Sequence, residues 1–186
     1  MKRILDILLS IFALALLAIP MAVVWAAVRL TSPGPALYWS SRVGKNNAIF
    51  QMPKFRTMHI HTPTVATHLL ANPQSYLTPV GSFLRKTSLD ELPQLWSILI
   101  GNMSWVGPRP ALYNQADLIA LRTINGVHNL VPGLTGWAQI NGRDEIPLTE
   151  KVKLDAFYLT HQSILMDIKI ILLTALKVLR REDVTH

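Results

Sequence analysis

The chain has 186 residues, half of them hydrophobic and only 16% charged, which excludes intrinsic disorder and suits one domain of ordinary size. It contains no cysteine, so disulfide scaffolds and thiol chemistry are excluded. Eighteen Lys and Arg against 11 Asp and Glu give a net charge of +7, pointing to nucleic acid, a lipid surface or a phosphorylated substrate.

Residues 4–28 are almost wholly apolar, interrupted by Asp6, Ser10 and Pro20 and flanked by Lys2-Arg3 and Arg29. About 20 helical residues suffice to cross a bilayer, so a single span is the plain reading. A secretory signal ending near Val24-Trp25-Ala26 is a second, although the stretch is long for a signal and contains Asp6. Pro20 supports a third. Proline lacks an N–H and clashes with the preceding turn, so a helix broken there can enter one leaflet and return. Basic residues at both ends agree weakly with that reading, because cytoplasmic flanks favour Lys and Arg.

Farther along, residues 36–40 and 48–52 are expected to be short strands about a Gly44-Lys45-Asn46-Asn47 turn. Residues 59–79 hold three prolines and read as a loop. Residues 89–100 place apolar side chains at 92, 95, 96 and 99, a helical stripe closed by Gly101. A helix is expected across 113–124, a turn at 132–136 and a short strand at 137–140. Residues 150–181 are helical in propensity. Their apolar part, 164–179, suits a helix at a membrane interface or one in the core.

The acidic residues are unevenly placed. After Asp6 none occurs until Asp90 and Glu91, whereas Arg29, Arg42, Lys45, Lys54, Arg56, Arg85 and Lys86 fill the gap. Ser88-Leu89-Asp90-Glu91 fits the capping-box pattern, in which Glu91 would simply cap a helix. The same place, at a helix start, favours an ionised Asp or a phosphate. Arg109 lies between two prolines that stiffen its backbone, and its planar fork suits bidentate phosphate recognition. Together with Lys54, Arg56, Arg85 and Arg143, it makes a phosphoryl-transfer site around the acidic pair a reasonable expectation. His59, His61 and His68 match no common zinc spacing and are not expected to bind metal. No G-x-x-x-x-G-K-[ST], G-x-G-x-x-G or G-x-S-x-G pattern occurs.

Several blocks in this order resemble the bacterial sugar transferase family, the small monotopic phosphoglycosyl transferases. They are Lys2-Arg3 with Asp6, Ser32-Pro33-Gly34-Pro35, Arg42-Val43-Gly44, Lys54-Phe55-Arg56-Thr57-Met58 and Leu84-Arg85. Ser88-Leu89-Asp90-Glu91-Leu92-Pro93-Gln94-Leu95, Gly101-Asn102-Met103-Ser104 and Val106-Gly107-Pro108-Arg109-Pro110 follow. Pro132-Gly133-Leu134-Thr135-Gly136-Trp137 through Asn141-Gly142-Arg143 and the closing helix complete the match, which covers essentially the whole chain.

The resemblance implies an α+β protein: a membrane-inserted, re-entrant helix over 1–30, broken at Pro20, then a small, mainly helical catalytic domain over 31–186 with interfacial helices. It implies transfer of a sugar-1-phosphate from a UDP-sugar to polyprenyl phosphate, with release of UMP, as a first membrane step of glycan assembly. Asp90 would be the nucleophile, forming a covalent phospho-sugar intermediate, and neighbouring arginines would lower its pKa. Glu91 would assist, and the two carboxylates would hold Mg²⁺. Lys54, Arg56, Arg85, Arg109 and Arg143 would bind phosphate or nucleotide. The location implied is the bacterial cytoplasmic membrane with the catalytic domain facing the cytosol, and nucleic acid is not an expected partner.

Two positions depart from the family pattern. Ile19 stands where a serine commonly precedes the proline, and Asn102 replaces a frequent aspartate, removing one carboxylate. Charge and pI alone also suit a noncatalytic membrane-anchored module that binds anionic lipid or nucleic acid.

Overall fold

The computed structural model describes residues 1–63, 72–142 and 146–180, with the side chains of 179 and 180 excepted. Its first element, α1 (Lys2–Thr31), is one continuous helix with Pro20 inside it. At 1.5 Å per residue it extends about 45 Å, long and apolar enough to cross a membrane. The break expected at Pro20 is therefore not seen as two segments. Proline removes a single backbone donor, and the turns on both sides are held against the domain.

One face of α1 makes that contact. Asp6, Ser10, Val24 and Val28 are buried, and Leu14, Leu17 and Met21 pack half-buried between them. Every step between them is three or four residues, so these side chains form one stripe. Ile4, Leu8, Phe12, Leu16, Ile19 and Val23 lie outside the stripe and are exposed.

The ends of α1 are tied down by polar contacts. Lys2 Nζ donates to Asp167 Oδ2 at 2.6 Å, the Val106 carbonyl at 3.0 Å and the Tyr158 hydroxyl at 3.2 Å. Asp6 accepts from the Ser104 hydroxyl and the Trp105 amide, at 3.0 and 3.1 Å. At the other end, the Arg56 guanidinium donates to the Ser32 carbonyl and hydroxyl and to the Pro33 carbonyl.

Two antiparallel strands follow, β1 (Leu37–Val43) and β2 (Ile49–Phe55), each longer than the sequence suggested. A 3₁₀ turn at Lys45–Asn47 joins them, with Asn46 and Asn47 at positive φ, a conformation asparagine tolerates better than most residues. Next come α2 (Gly81–Lys86), a 3₁₀ turn at Leu89–Glu91 and α3 (Gln94–Ile100). Helix α3 ends at Gly101, φ 98°, and Arg3 caps it by donating to the carbonyls of Ile98 (2.5 Å) and Leu99 (2.6 Å).

The strand β3 (Ser104–Val106) pairs in parallel with β4 (Gly133–Thr135), separated in sequence by α4 (Ala116–Ile124). This corrects the expectation of a turn over 132–136 and a strand at 137–140. Gly107 and Gly133 serve close backbone approach: a Cβ on Gly133 would lie 2.1 Å from the Gly107 nitrogen. Residues Trp137–Ile140 form the one-turn helix α5 instead, with Gly136 extended before it.

The single helix expected over 150–181 is two, α6 (Leu148–His161) and α7 (Ile164–Arg180). Ser163 explains the break, because its hydroxyl accepts from the Met166 amide at 3.2 Å, as a helix cap does. Val106, Leu130, Ile140, Tyr158 and Ile170 form the core that joins β3 to α5, α6 and α7. A second cluster of Met52, Leu95, Ile98 and Met103 packs β2 and α3 against α1.

Candidate active site

Asp90 and Glu91 occupy the 3₁₀ turn between α2 and α3. The capping-box reading of this segment does not hold. Ser88 is in the left-handed region, φ 55°, and its side chain makes no cap hydrogen bond. Glu91 turns to cations instead: its Oε1 accepts from Lys54 Nζ at 2.7 Å and Arg109 Nη2 at 2.9 Å. Lys54 reaches it because β2 alternates, placing Lys54 on the same face as Phe50 and Met52.

Asp90 is only 7% exposed. Among the described residues its carboxylate accepts no hydrogen bond, but Lys54, Arg85 and Arg109 act on it electrostatically. The environments of the two acids drive them apart. Burial pushes Asp90 above the usual aspartate range, Lys54 opposes this, and the Glu91 charge adds to the rise. Burial also pushes Glu91 up, but Arg109 and Lys54 outweigh it and hold that carboxyl well below its usual range. Arg85 and Arg109 do act to lower the pKa of Asp90, as expected, but burial outweighs them and the net direction is upward. Burial lowers the Lys54 ammonium, and Glu91 partly restores it.

The loop carrying Arg109 is held at three successive carbonyls. Gly133 N donates to Pro108 at 2.9 Å, Arg122 Nη1 to Arg109 at 2.8 Å and Arg42 Nη1 to Pro110 at 3.1 Å. Arg122, on α4, is itself fixed by Asp155 on α6, whose Oδ2 accepts from Nε at 3.0 Å and Nη2 at 2.6 Å. Asp155 is 1% exposed.

The structure therefore brings Lys54, Arg85 and Arg109 around the expected acidic pair. Arg85 also donates from Nε to the Thr57 hydroxyl at 3.0 Å. Arg56 is not part of this group, because its guanidinium is used on the segment following α1. Arg143 lies outside the described residues, as does His68. Arg122 and Asp155 were not anticipated as supports. They are 33 positions apart on separate helices, so no local motif links them.

A groove of about 360 Å³ opens beside Glu91 and Arg109. Leu17, Leu92, Leu95, Leu134, Ile171 and Ala175 line it.

No cluster of three or more His, Asp or Glu suited to a metal occurs among the described residues. Mg²⁺ commonly needs only one or two carboxylates plus substrate phosphates. The donors fit that requirement, since the Asp90 carboxylate accepts no hydrogen bond from the described residues and the cations on Glu91 share a single oxygen.

An acidic pair thus sits among half-buried cations, beside a mostly apolar groove and a helix long and apolar enough to cross a membrane. The chain belongs to the bacterial sugar transferase family, whose model matches residues 1–181. It is 38% identical over 184 residues to the uncharacterized sugar transferase EpsL of Bacillus subtilis (strain 168), covering 99% of this chain and 90% of that one. It is 40% identical to the UDP-glucose:undecaprenyl-phosphate glucose-1-phosphate transferase of Escherichia coli (strain K12), over 95% of this chain but 40% of that protein. The undecaprenyl-phosphate galactose phosphotransferase of Salmonella typhimurium is 36% identical, over 98% of this chain and 41% of the relative. The chain thus spans most of the short relative and about two fifths of the long ones.

Proposed function

We propose that the protein transfers a sugar-1-phosphate from a UDP-sugar to polyprenyl phosphate, releasing UMP, in an early membrane step of glycan assembly. In the first half-reaction an Asp90 oxygen attacks the sugar-bearing phosphorus. The bond from that phosphorus to UMP breaks, and a phospho-sugar remains on the carboxylate. In the second, a phosphate oxygen of the acceptor attacks the same phosphorus and Asp90 leaves. The observation that carries this reading is the division of the pair: Glu91 takes the hydrogen bonds of Lys54 and Arg109, while Asp90 accepts none from the described residues. Glu91 orients both cations, which with Arg85 lie where phosphate charge would gather.

Asp90 and Glu91 would hold Mg²⁺, whose contribution when bound is to offset the charge of the phosphates. Arg109, Lys54 and Arg85 bind and orient the phosphate groups. Arg122, Arg42 and Gly133 keep the Arg109 loop in place. A module that merely binds anionic lipid or nucleic acid would present its cations outward, whereas Lys54 and Arg109 turn onto Glu91.

The proposed setting is the cytosolic face of a bacterial cytoplasmic membrane. Both ends of α1 bind the same domain, through Lys2, Arg3 and Asp6 at one end and Val24, Val28 and Ser32 at the other. Were α1 to cross the bilayer, the domain packed along its stripe would have to enter too. The helix instead enters one leaflet by its exposed apolar side and leaves both ends on the domain's side.

The test is UMP release from a panel of UDP-sugars with polyprenyl phosphate and Mg²⁺. Wild type is expected to release UMP with at least one donor, and Asp90→Asn with none. Equal release by the variant would remove Asp90 as the nucleophile.

A further inference from the structure

The groove beside Glu91 and Arg109 has walls from α1 (Leu17), α3 and the turn before it (Leu92, Leu95), β4 (Leu134) and α7 (Ile171, Ala175). Two of these walls are helices that also expose apolar side chains elsewhere, Phe12 and Leu16 on α1 and Leu172 and Leu176 on α7. One part of the lining is thus charged, and most of the remainder is hydrocarbon.

We propose that this groove seats the isoprenoid units of the acceptor nearest its phosphate, with the phosphate directed to the Arg109 part of the groove. This deepens the reading above and rests on it. The alternative occupant, the nucleotide sugar, carries many hydroxyls and ring polar groups, and beyond Glu91 and Arg109 it would find only Ser88, Thr135, Gln139, Thr174 and Lys177 as polar partners in a lining that is mostly hydrocarbon. A phosphate with an apolar chain satisfies both parts of the lining at once. Its charge complements Arg109, and its chain reaches lipid between two helices that already present apolar faces to the outside. The acceptor would then approach Asp90 from the membrane side.

Ala175 is exposed, so a larger side chain there fills the groove without displacing the core. The full-length protein in lipid nanodiscs is the sample. Ala175→Trp is expected to keep the single-turnover burst of UMP from UDP-sugar at the wild-type amplitude. Its discharge onto long-chain polyprenyl phosphate should slow at least tenfold. Undiminished long-chain discharge, or a lost UMP burst in a variant with an unchanged melting temperature, would overturn the assignment. An independent arm places p-benzoylphenylalanine at Val178, also on the groove lining. Irradiation is expected to capture polyprenyl phosphate, identified by mass. Capture of bulk phospholipid alone would overturn the proposal. If wild type itself gives no UMP burst, the covalent mechanism fails, whereas the cross-link still decides the occupant of the groove.

Discussion

Arg122 Nη1 lies 2.8 Å from the backbone carbonyl of Arg109, whose own side chain pairs with Glu91. A residue on α4 thereby sets the position of a cation in the candidate site without entering it. Asp155 completes the arrangement by fixing the other two guanidinium nitrogens.

Removing one partner of a buried ion pair leaves the other uncompensated. Asp155→Ala is therefore expected to lose about 3–5 kcal/mol of stability, read as a lower midpoint in chemical denaturation. Arg122→Lys keeps the charge but lacks a fork to hold both Asp155 and the Arg109 carbonyl. It should weaken donor handling by about tenfold, one charge-assisted hydrogen bond's worth. A stable Asp155→Ala protein, or an Arg122→Lys enzyme with wild-type kcat/KM for donor, would contradict this support role.

Topology can be tested with single cysteines, because the chain has none of its own. A cysteine on a short N-terminal extension, Leu30→Cys and Ile124→Cys should all react with an impermeant maleimide from one face of sealed vesicles. Leu30 and Ile124 are both highly exposed. Pro20→Leu is expected to leave this pattern unchanged, since α1 is already continuous and tied at both ends. Opposite-face labelling of the N-terminal cysteine would show a crossing helix.

The two carboxyls should titrate in opposite directions from their usual values. By carboxyl carbon NMR on metal-free protein, Asp90 is expected to titrate above an ordinary aspartate, because burial and the Glu91 charge disfavour its ionised form. Glu91→Gln deletes that negative neighbour, so the Asp90 midpoint should fall. Lys54→Met deletes a positive one, so it should rise. Movement in the opposite sense in either variant would refute the charge arrangement described here.

Chelation offers a simpler check. With excess EDTA, UMP release should stop, and Mg²⁺ should restore it. Undiminished release in EDTA would remove the divalent ion from the proposed reaction.

Much of the site was legible because it is encoded locally. Asp90-Glu91 stood alone in a basic stretch, and the prolines around Arg109 marked a stiff loop. The helix over 89–100 was legible only from 94 onward. Pro93 precedes its first residue, and the acids before it sit in a separate 3₁₀ turn. Other features depend on distant partners. Gly133 resembles a turn glycine until β3 is placed beside it, and only that contact makes the segment a strand. Arg56 and Arg109 look alike as loop-associated cations, yet one anchors the segment after α1 and the other meets Glu91. The raised pKa of Asp90 could not be read from its basic neighbours, because burial outweighs them.

The most direct measurement is intact-protein and peptide mass spectrometry of enzyme mixed with UDP-sugar and Mg²⁺ in the absence of acceptor. A mass increase equal to one sugar phosphate, mapped to Asp90 and discharged by polyprenyl phosphate, is the predicted result. An unmodified Asp90 under conditions where wild type turns over with acceptor would contradict the covalent mechanism.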